Sequence, residues 1–123
     1  MPTKSAFSYL KLWLPVFVYM GVIFYAGSIP GKDVPSLFPY QDIVFHFAIY
    51  LLLAFFFARA LSRTNTGLSL AKIMIFTVVF AVFCGISDEF HQAFAPNRSV
   101  SGFDVFIDSL GALFGCLLFP WLS

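Results

Sequence analysis

The sequence predicts an all-α fold: a polytopic membrane protein built as a four-transmembrane-helix bundle with both termini cytoplasmic. Three observations carry that expectation. First, 60% of the 123 residues are hydrophobic, only 11% are charged, and 18 are Phe. Globular domains carry roughly 25% charged residues, and a small soluble domain leaves too much surface in water to hide this much apolar side chain. Second, the apolar residues fall into four runs, each near the ~20 residues that cross a hydrocarbon core. Third, Lys and Arg are shared unevenly between the segments that join those runs. A chain of this length is read as one domain, residues 1–123.

The first span is expected from about Leu10 to Gly27. Lys4, Lys11 and the small residues AGS at 26–28 also fit a secretory signal and its cleavage site; the reading adopted is a retained span. The second is expected from Asp42 to Ala60, the third from Ala71 to Phe94 and the fourth from Asp104 to Leu122. These three reach full length only by carrying ionisable residues into the membrane. An even number of spans puts both termini on one side. That side would hold Lys4, Lys11, Arg59, Arg63 and Lys72, against Lys32 and Arg98 on the other. The richer set should be cytoplasmic, so that segments 28–41 and 95–103 face outward.

The composition also excludes some classes. There is no block of Lys and Arg, so no nucleic-acid partner is expected. Cys84 and Cys116 sit inside apolar runs with no second Cys or His at ligand spacing, and read as small packing residues. No cofactor and no resident metal are expected. The evident partners are membrane lipids.

One stretch breaks the apolar pattern. Residues 87–108, SDEFHQAFAPNRSVSGFDVFID, hold four of the six carboxylates, Asp88, Glu89, Asp104 and Asp108, together with His91, Gln92 and Arg98. The four-span topology turns this stretch into a helix end, an outer loop and the next helix start. Asp42 and His46 arrive at the same face at the start of the second span. With 1.5 Å of rise per residue, His46 and Asp108 lie about 6 Å inside their helix starts, and Asp88 about 9–10 Å inside its helix end.

Helical spacing aligns these groups. Asp42, His46 and Tyr50 are each four apart and share a face. Thr77, Ala81, Cys84, Asp88 and Gln92 form a stripe on the third span, and Asp104, Asp108, Gly111 and Gly115 form another on the fourth. Small residues mark helix interfaces in membranes, where lipid offers no hydrophobic drive and close backbone contact supplies the packing. Carboxylates on those same faces point into the bundle, where charge is cheaper than against lipid.

Structural roles compete with functional ones. Ser101 and Asp104 fit the capping box that precedes an apolar run. Asp42 fits a helix cap or a first-turn acid, and His46 fits a satisfied core histidine. Asp88 and Glu89 resist this treatment, because they stand toward a helix C-terminus, where the dipole disfavours negative charge. Asp108 lies beyond any cap. The five carboxylates Asp42, Asp88, Glu89, Asp104 and Asp108 face one nearby cation, Arg98, with Lys32 a second candidate. Either some are protonated, or His46 and His91 are charged, or a cation or cationic ligand binds.

The spacing D-x3-H-x3-Y at Asp42, His46 and Tyr50, then S-D-E-x2-Q at Ser87 to Gln92, P-x-R-x2-S-x2-D at Pro96 to Asp104, and G-x3-G at Gly111 and Gly115 resembles the VanZ-like family. The resemblance spans about residues 40 to 118. It implies a small multi-pass protein of the bacterial cytoplasmic (inner) membrane, in a family named for antibiotic resistance to the glycopeptide teicoplanin. Two positions depart from that pattern. Ile43 stands where the family often has Lys, and Asp108 where it often has Asn. Both changes make this site more acidic.

The function expected first is a polar site at the extracytoplasmic face for a cell-envelope ligand, such as a lipid-linked cell-wall intermediate, a lipid headgroup or a glycopeptide. His46, Asp88, Glu89 and Asp108 are the candidate catalytic residues, with a His46–carboxylate pair as general acid and base. A metal-assisted variant would join His46 to Asp88 or Glu89 and Asp108. Asp42, Tyr50, Gln92, Arg98, Ser101 and Asp104 are the candidate ligand-binding residues, and Phe45, Phe47, Phe90, Phe94 and Phe103 candidate walls for an apolar portion. Whether chemistry occurs is left open. The alternatives are a non-catalytic membrane partner whose polar cluster is fold glue, and a proton- or cation-coupled transporter, for which four spans would call for an oligomer.

Overall fold

The structure, a computed structural model, describes residues 6–29, 35–64, 67–95 and 102–122. Helix α1 spans Ala6–Ser28, α2 Gln41–Thr64, α3 Leu70–Gln92 and α4 Gly102–Leu122. All four are long and apolar enough to cross a membrane, and no strand occurs among the described residues. Three boundaries move outward from the apolar runs by two residues or more: α1 begins at Ala6 rather than Leu10, α2 continues past Ala60 to Thr64, and α4 begins at Gly102 rather than Asp104. Backbone hydrogen bonding does not stop where hydrophobicity does, so polar residues extend each helix beyond the apolar core. One boundary moves inward. Helix α3 ends at Gln92 rather than Phe94, because Phe94 N–H bonds the His91 carbonyl and Ala95 N–H the Gln92 carbonyl, tightening the last turn.

The register of α2 against α4 follows from two glycines. A Cβ added to Gly111 would lie 2.5 Å from the Phe47 carbonyl oxygen, and one added to Gly115 would run into the Leu51 carbonyl oxygen. Phe47 and Leu51 are four apart, as are Gly111 and Gly115, so one ridge of α4 lies directly on the backbone of α2. Ala54 and Ala112 are fully buried, as expected where backbones approach closely. The first-span end of the bundle is filled by rings. Trp13 meets Phe57 edge-on at 5.6 Å, Tyr19 stacks on Phe56 at 5.6 Å, and Phe57 stacks on Phe80 at 4.2 Å. Trp13 Nε1–H donates to Thr64 Oγ1 at 2.9 Å, joining the start of α1 to the end of α2. Many large apolar side chains, among them Phe17, Phe83 and Phe90, remain more than 60% exposed; on a membrane-spanning bundle they are the lipid-facing surface.

Ahead of α2 the chain turns sharply. Tyr40 takes a left-handed φ of 60°. Gln41 holds the preceding segment with both ends of its amide: Oε1 accepts from Leu37 N–H at 2.6 Å, and Nε2 donates to the Pro35 carbonyl at 2.5 Å. That clasp fixes where α2 starts, and so the height of His46 in the bundle.

Candidate functional site

His46, Asp88 and Asp108 converge at one end of the bundle. From the observed helix ends, each lies about 6–9 Å inward. The registering glycines set the central contact. With Gly111 on Phe47, Asp108 one turn earlier meets His46, and His46 Nδ1 and Asp108 Oδ1 are 2.7 Å apart. Asp108 is fully buried, and its other oxygen, Oδ2, has no hydrogen-bond partner among the described residues. Helix α3 makes room for it at Gly85, where an added Cβ would lie 3.0 Å from Oδ2. The imidazole of His46 lies parallel to the ring of Tyr50, with centroids 6.4 Å apart. Tyr50 is also fully buried, and its hydroxyl has no partner among the described residues.

The first helix joins this cluster, which the sequence reading assigned to the last three alone. A Cβ at Gly27 would lie 2.8 Å from Asp88 Oδ1 and 3.2 Å from Gln92 Cγ, so α1 presses its glycine onto the acidic face of α3. Gln92 Nε2–H donates to Asp88 Oδ2 at 3.0 Å. One residue further, Ser28 Oγ and His91 Nε2 are 2.7 Å apart, and the His91 ring stacks on Phe24 at 3.9 Å. Ser28 spends its hydroxyl proton on the Phe24 carbonyl. It therefore accepts from His91, whose Nε2 carries the hydrogen. The signal for this contact was the small-residue run AGS at 26–28, which doubles as a signal-peptide cleavage pattern.

A cavity of about 180 Å³ opens between α1, α2 and α3. Its polar wall is Asp42, His46, Tyr50, Asp88 and Gln92, and Ile23, Phe45 and Ile49 contribute apolar wall. Asp42 is exposed at its mouth, in the first turn of α2. The expected face Asp42, His46, Tyr50 therefore lines a single space. Asp108 stands behind His46 rather than in the wall. Glu89 is buried beside the site without lining this cavity, and Asp104 is half-buried in the first turn of α4. Arg98 and Ser101 lie outside the described residues, and with them the expected capping box.

Several finer expectations are corrected. Cys84 packs against the core but is only half-buried, and Gly85 is the buried position beside Asp108, where an added Cβ would lie 3.0 Å from Oδ2. Of the five phenylalanines proposed as walls, only Phe45 lines the cavity. Phe90, Phe94 and Phe103 are exposed, and Phe47 packs on Phe114 at 5.5 Å. The metal-assisted arrangement is not formed: among the described residues no three His, Cys, Asp or Glu side chains converge as ligands. Away from this end, Thr77 and Ser69 make local hydrogen bonds in α3 and at its N-cap. The Thr77 hydroxyl donates to the Ile73 carbonyl at 2.6 Å, and Ser69 caps α3 by accepting from Lys72 N–H at 3.3 Å.

These features define a four-helix membrane protein with a histidine–carboxylate site at one end. A VanZ/LLP1 family profile matches residues 10–123, nearly the whole chain, and the protein belongs to this family. A Schizosaccharomyces pombe protein described only as uncharacterized is 30% identical over 121 residues, 96% of this chain and 68% of the yeast protein. No solved structure matches the chain.

Proposed function

We propose that the cavity is a ligand site at the extracytoplasmic face of the membrane, and that it binds the polar portion of a cell-envelope molecule: a lipid-linked wall intermediate, a lipid headgroup or a glycopeptide. The observation that carries this reading is Tyr50, a residue of the cavity wall with His46 and Asp88, whose fully buried hydroxyl has no partner among the described residues. A buried polar group costs stability unless something completes its hydrogen bonding. A fold that needed only internal glue would place a partner there.

The chemistry divides between two layers. Asp108 is a positioning residue: it holds Nδ1 of His46 and leaves Nε2 as the ring nitrogen for a ligand. A carboxylate that orients an imidazole in this way fixes its tautomer and raises its basicity. Asp88, Tyr50, Gln92 and Asp42 then offer acceptors and donors around the same space. This arrangement suits recognition of hydroxyl and amine groups, and supplies a base for proton transfer if the bound group reacts. The outward placement is supported by charge. Among the described residues every Lys and Arg, namely Lys11, Arg59, Arg63 and Lys72, stands at the end of the bundle opposite this cavity, as the positive-inside rule demands of a cytoplasmic end.

The same His46–Asp108 pair favours one rival, in which the polar cluster is structural and the protein is a non-catalytic membrane partner. Asp88→Asn and Glu89→Gln separate the two. We expect the wild-type protein to raise the teicoplanin tolerance of a host that expresses it, and both variants to be recovered folded from detergent at close to wild-type yield while losing that gain. A parallel fall of yield and phenotype would overturn the ligand site.

A further inference from the structure

A second cavity, of about 310 Å³, lies between α1 and α3 and faces the bilayer side of the bundle. Its lining is almost wholly apolar: Met20, Ile23 and Phe24 from α1, and Phe80, Phe83 and Cys84 from α3. At its end stand Ser87 and Asp88. Asp88 and Ile23 also line the polar cavity, so the two spaces share a wall at one carboxylate. We propose that together they form one bipartite site for a single-chain amphiphile with a cationic amine headgroup, the hydrocarbon chain lying in the α1–α3 groove and the ammonium seated between Asp88, His46 and Tyr50.

Each part of the ligand answers a feature of the protein. The groove is open toward lipid and apolar along its length, so a hydrocarbon chain enters it without desolvating any polar group. The shared Asp88 is where such a chain would have to become polar. Beyond it stand acceptors: the carboxylates of Asp88 and Asp42, Nε2 of a His46 whose Nδ1 is held by Asp108, and the buried Tyr50 oxygen. The carboxylates of the described lining match an ammonium. Gly27 packs against Asp88 beside this junction, and Ile23 and Asp88, the two side chains common to both linings, are the ones the ligand must pass between. This proposal rests on reading the polar cavity as a ligand site, and narrows that reading to a charge and a shape.

Cys84 reports on the groove directly, because it is half-buried in the groove wall, while Cys116 is 1% exposed and serves as the unreactive control. The full-length protein in dodecyl maltoside is treated with methyl methanethiosulfonate, and modification at each cysteine is followed by mass spectrometry with no amphiphile, with hexadecylamine or with hexadecyl phosphate. Hexadecylamine is expected to slow modification of Cys84 by roughly five-fold or more, since thiol reactivity follows access. Hexadecyl phosphate should leave the rate unchanged, and Asp88→Asn should abolish the protection. The imidazole ¹⁵N signals of His46 are recorded in parallel, with butylamine and with hexadecylamine. If butylamine and hexadecylamine both shift His46 but Cys84 is unprotected, the polar site stands and the bipartite proposal fails. If neither amine moves His46 and Cys84 is unprotected, both readings fail. Equal protection by the phosphate would overturn the cationic class. A Cys84 that stays inert in the free protein even at alkaline pH, where the reactive thiolate forms, would mean that the groove is closed to a small reagent, and would overturn the proposal as well.

Discussion

His46 stands between two surroundings. On one side Asp108 holds its Nδ1 at 2.7 Å in a fully buried position; on the other the ring lines a cavity with Asp88 and Tyr50. Removing the imidazole therefore strands a carboxylate that already has one oxygen without a partner among the described residues. His46→Ala should destabilise the protein by roughly 3 kcal/mol, the scale for breaking a buried charge-assisted pair from one side. Asp108→Asn keeps an acceptor for Nδ1–H and should cost about 1 kcal/mol or less. Thermal unfolding in detergent checks the order: a midpoint that falls further for Asp108→Asn would contradict the pairing. At this scale the sequence was informative where chemistry is periodic. Asp42, His46 and Tyr50 do line one space, and Asp88, Gln92 and Asp108 do face inward. The residues that escaped were Gly27, Ser28 and Gly85. They act by lacking bulk or by one hydroxyl, and nothing in their own composition distinguishes them from other small residues in apolar helices.

Among the elements, α4 is docked on α2 through backbone contact at two glycines, and that docking delivers Asp108 to His46. Gly115→Ala inserts a methyl group into the Leu51 carbonyl oxygen and so must push the helices apart. Overpacking of this kind costs about 1–3 kcal/mol, and here it should also lengthen the His46–Asp108 contact. Gly27→Ala drives a methyl against Asp88 and Gln92 and should perturb the site with a smaller loss of stability. Gly21→Ala meets nothing within 4 Å and is the neutral control. A melting series of the three should rank Gly115→Ala lowest and leave Gly21→Ala at the wild-type value; a loss at Gly115 no larger than at Gly21, where alanine only improves helix propensity, would contradict the glycine docking. The four spans themselves were legible because twenty apolar residues have few other uses. Their ends were less so, because a helix terminus is set by local hydrogen bonds such as the Gln41 clasp and the tight turn after Gln92.

For the whole molecule, charge is unevenly shared, with Lys32 and Arg98 the basic residues of the two segments that adjoin the polar end. Among the described residues the carboxylates Asp42, Asp88, Glu89, Asp104 and Asp108 gather at one end, and all Lys and Arg at the other. If the basic end is cytoplasmic, a cysteine placed at Leu37, which precedes α2, should react with a membrane-impermeant maleimide in intact cells. One placed at Gly67, which precedes α3, should react only after permeabilisation; the reverse pattern would invert the topology and put the site inside.

The central claim is that the polar end of the bundle exists to hold a ligand. An experimental map of the protein purified in native lipid tests it most directly. The account predicts continuous non-protein density that touches His46, Tyr50 and Asp88 and runs into the groove lined by Ile23, Phe80 and Phe83. A map in which protein side chains, Arg98 foremost, fill the space between His46 and Asp88 and satisfy the Tyr50 hydroxyl would contradict it.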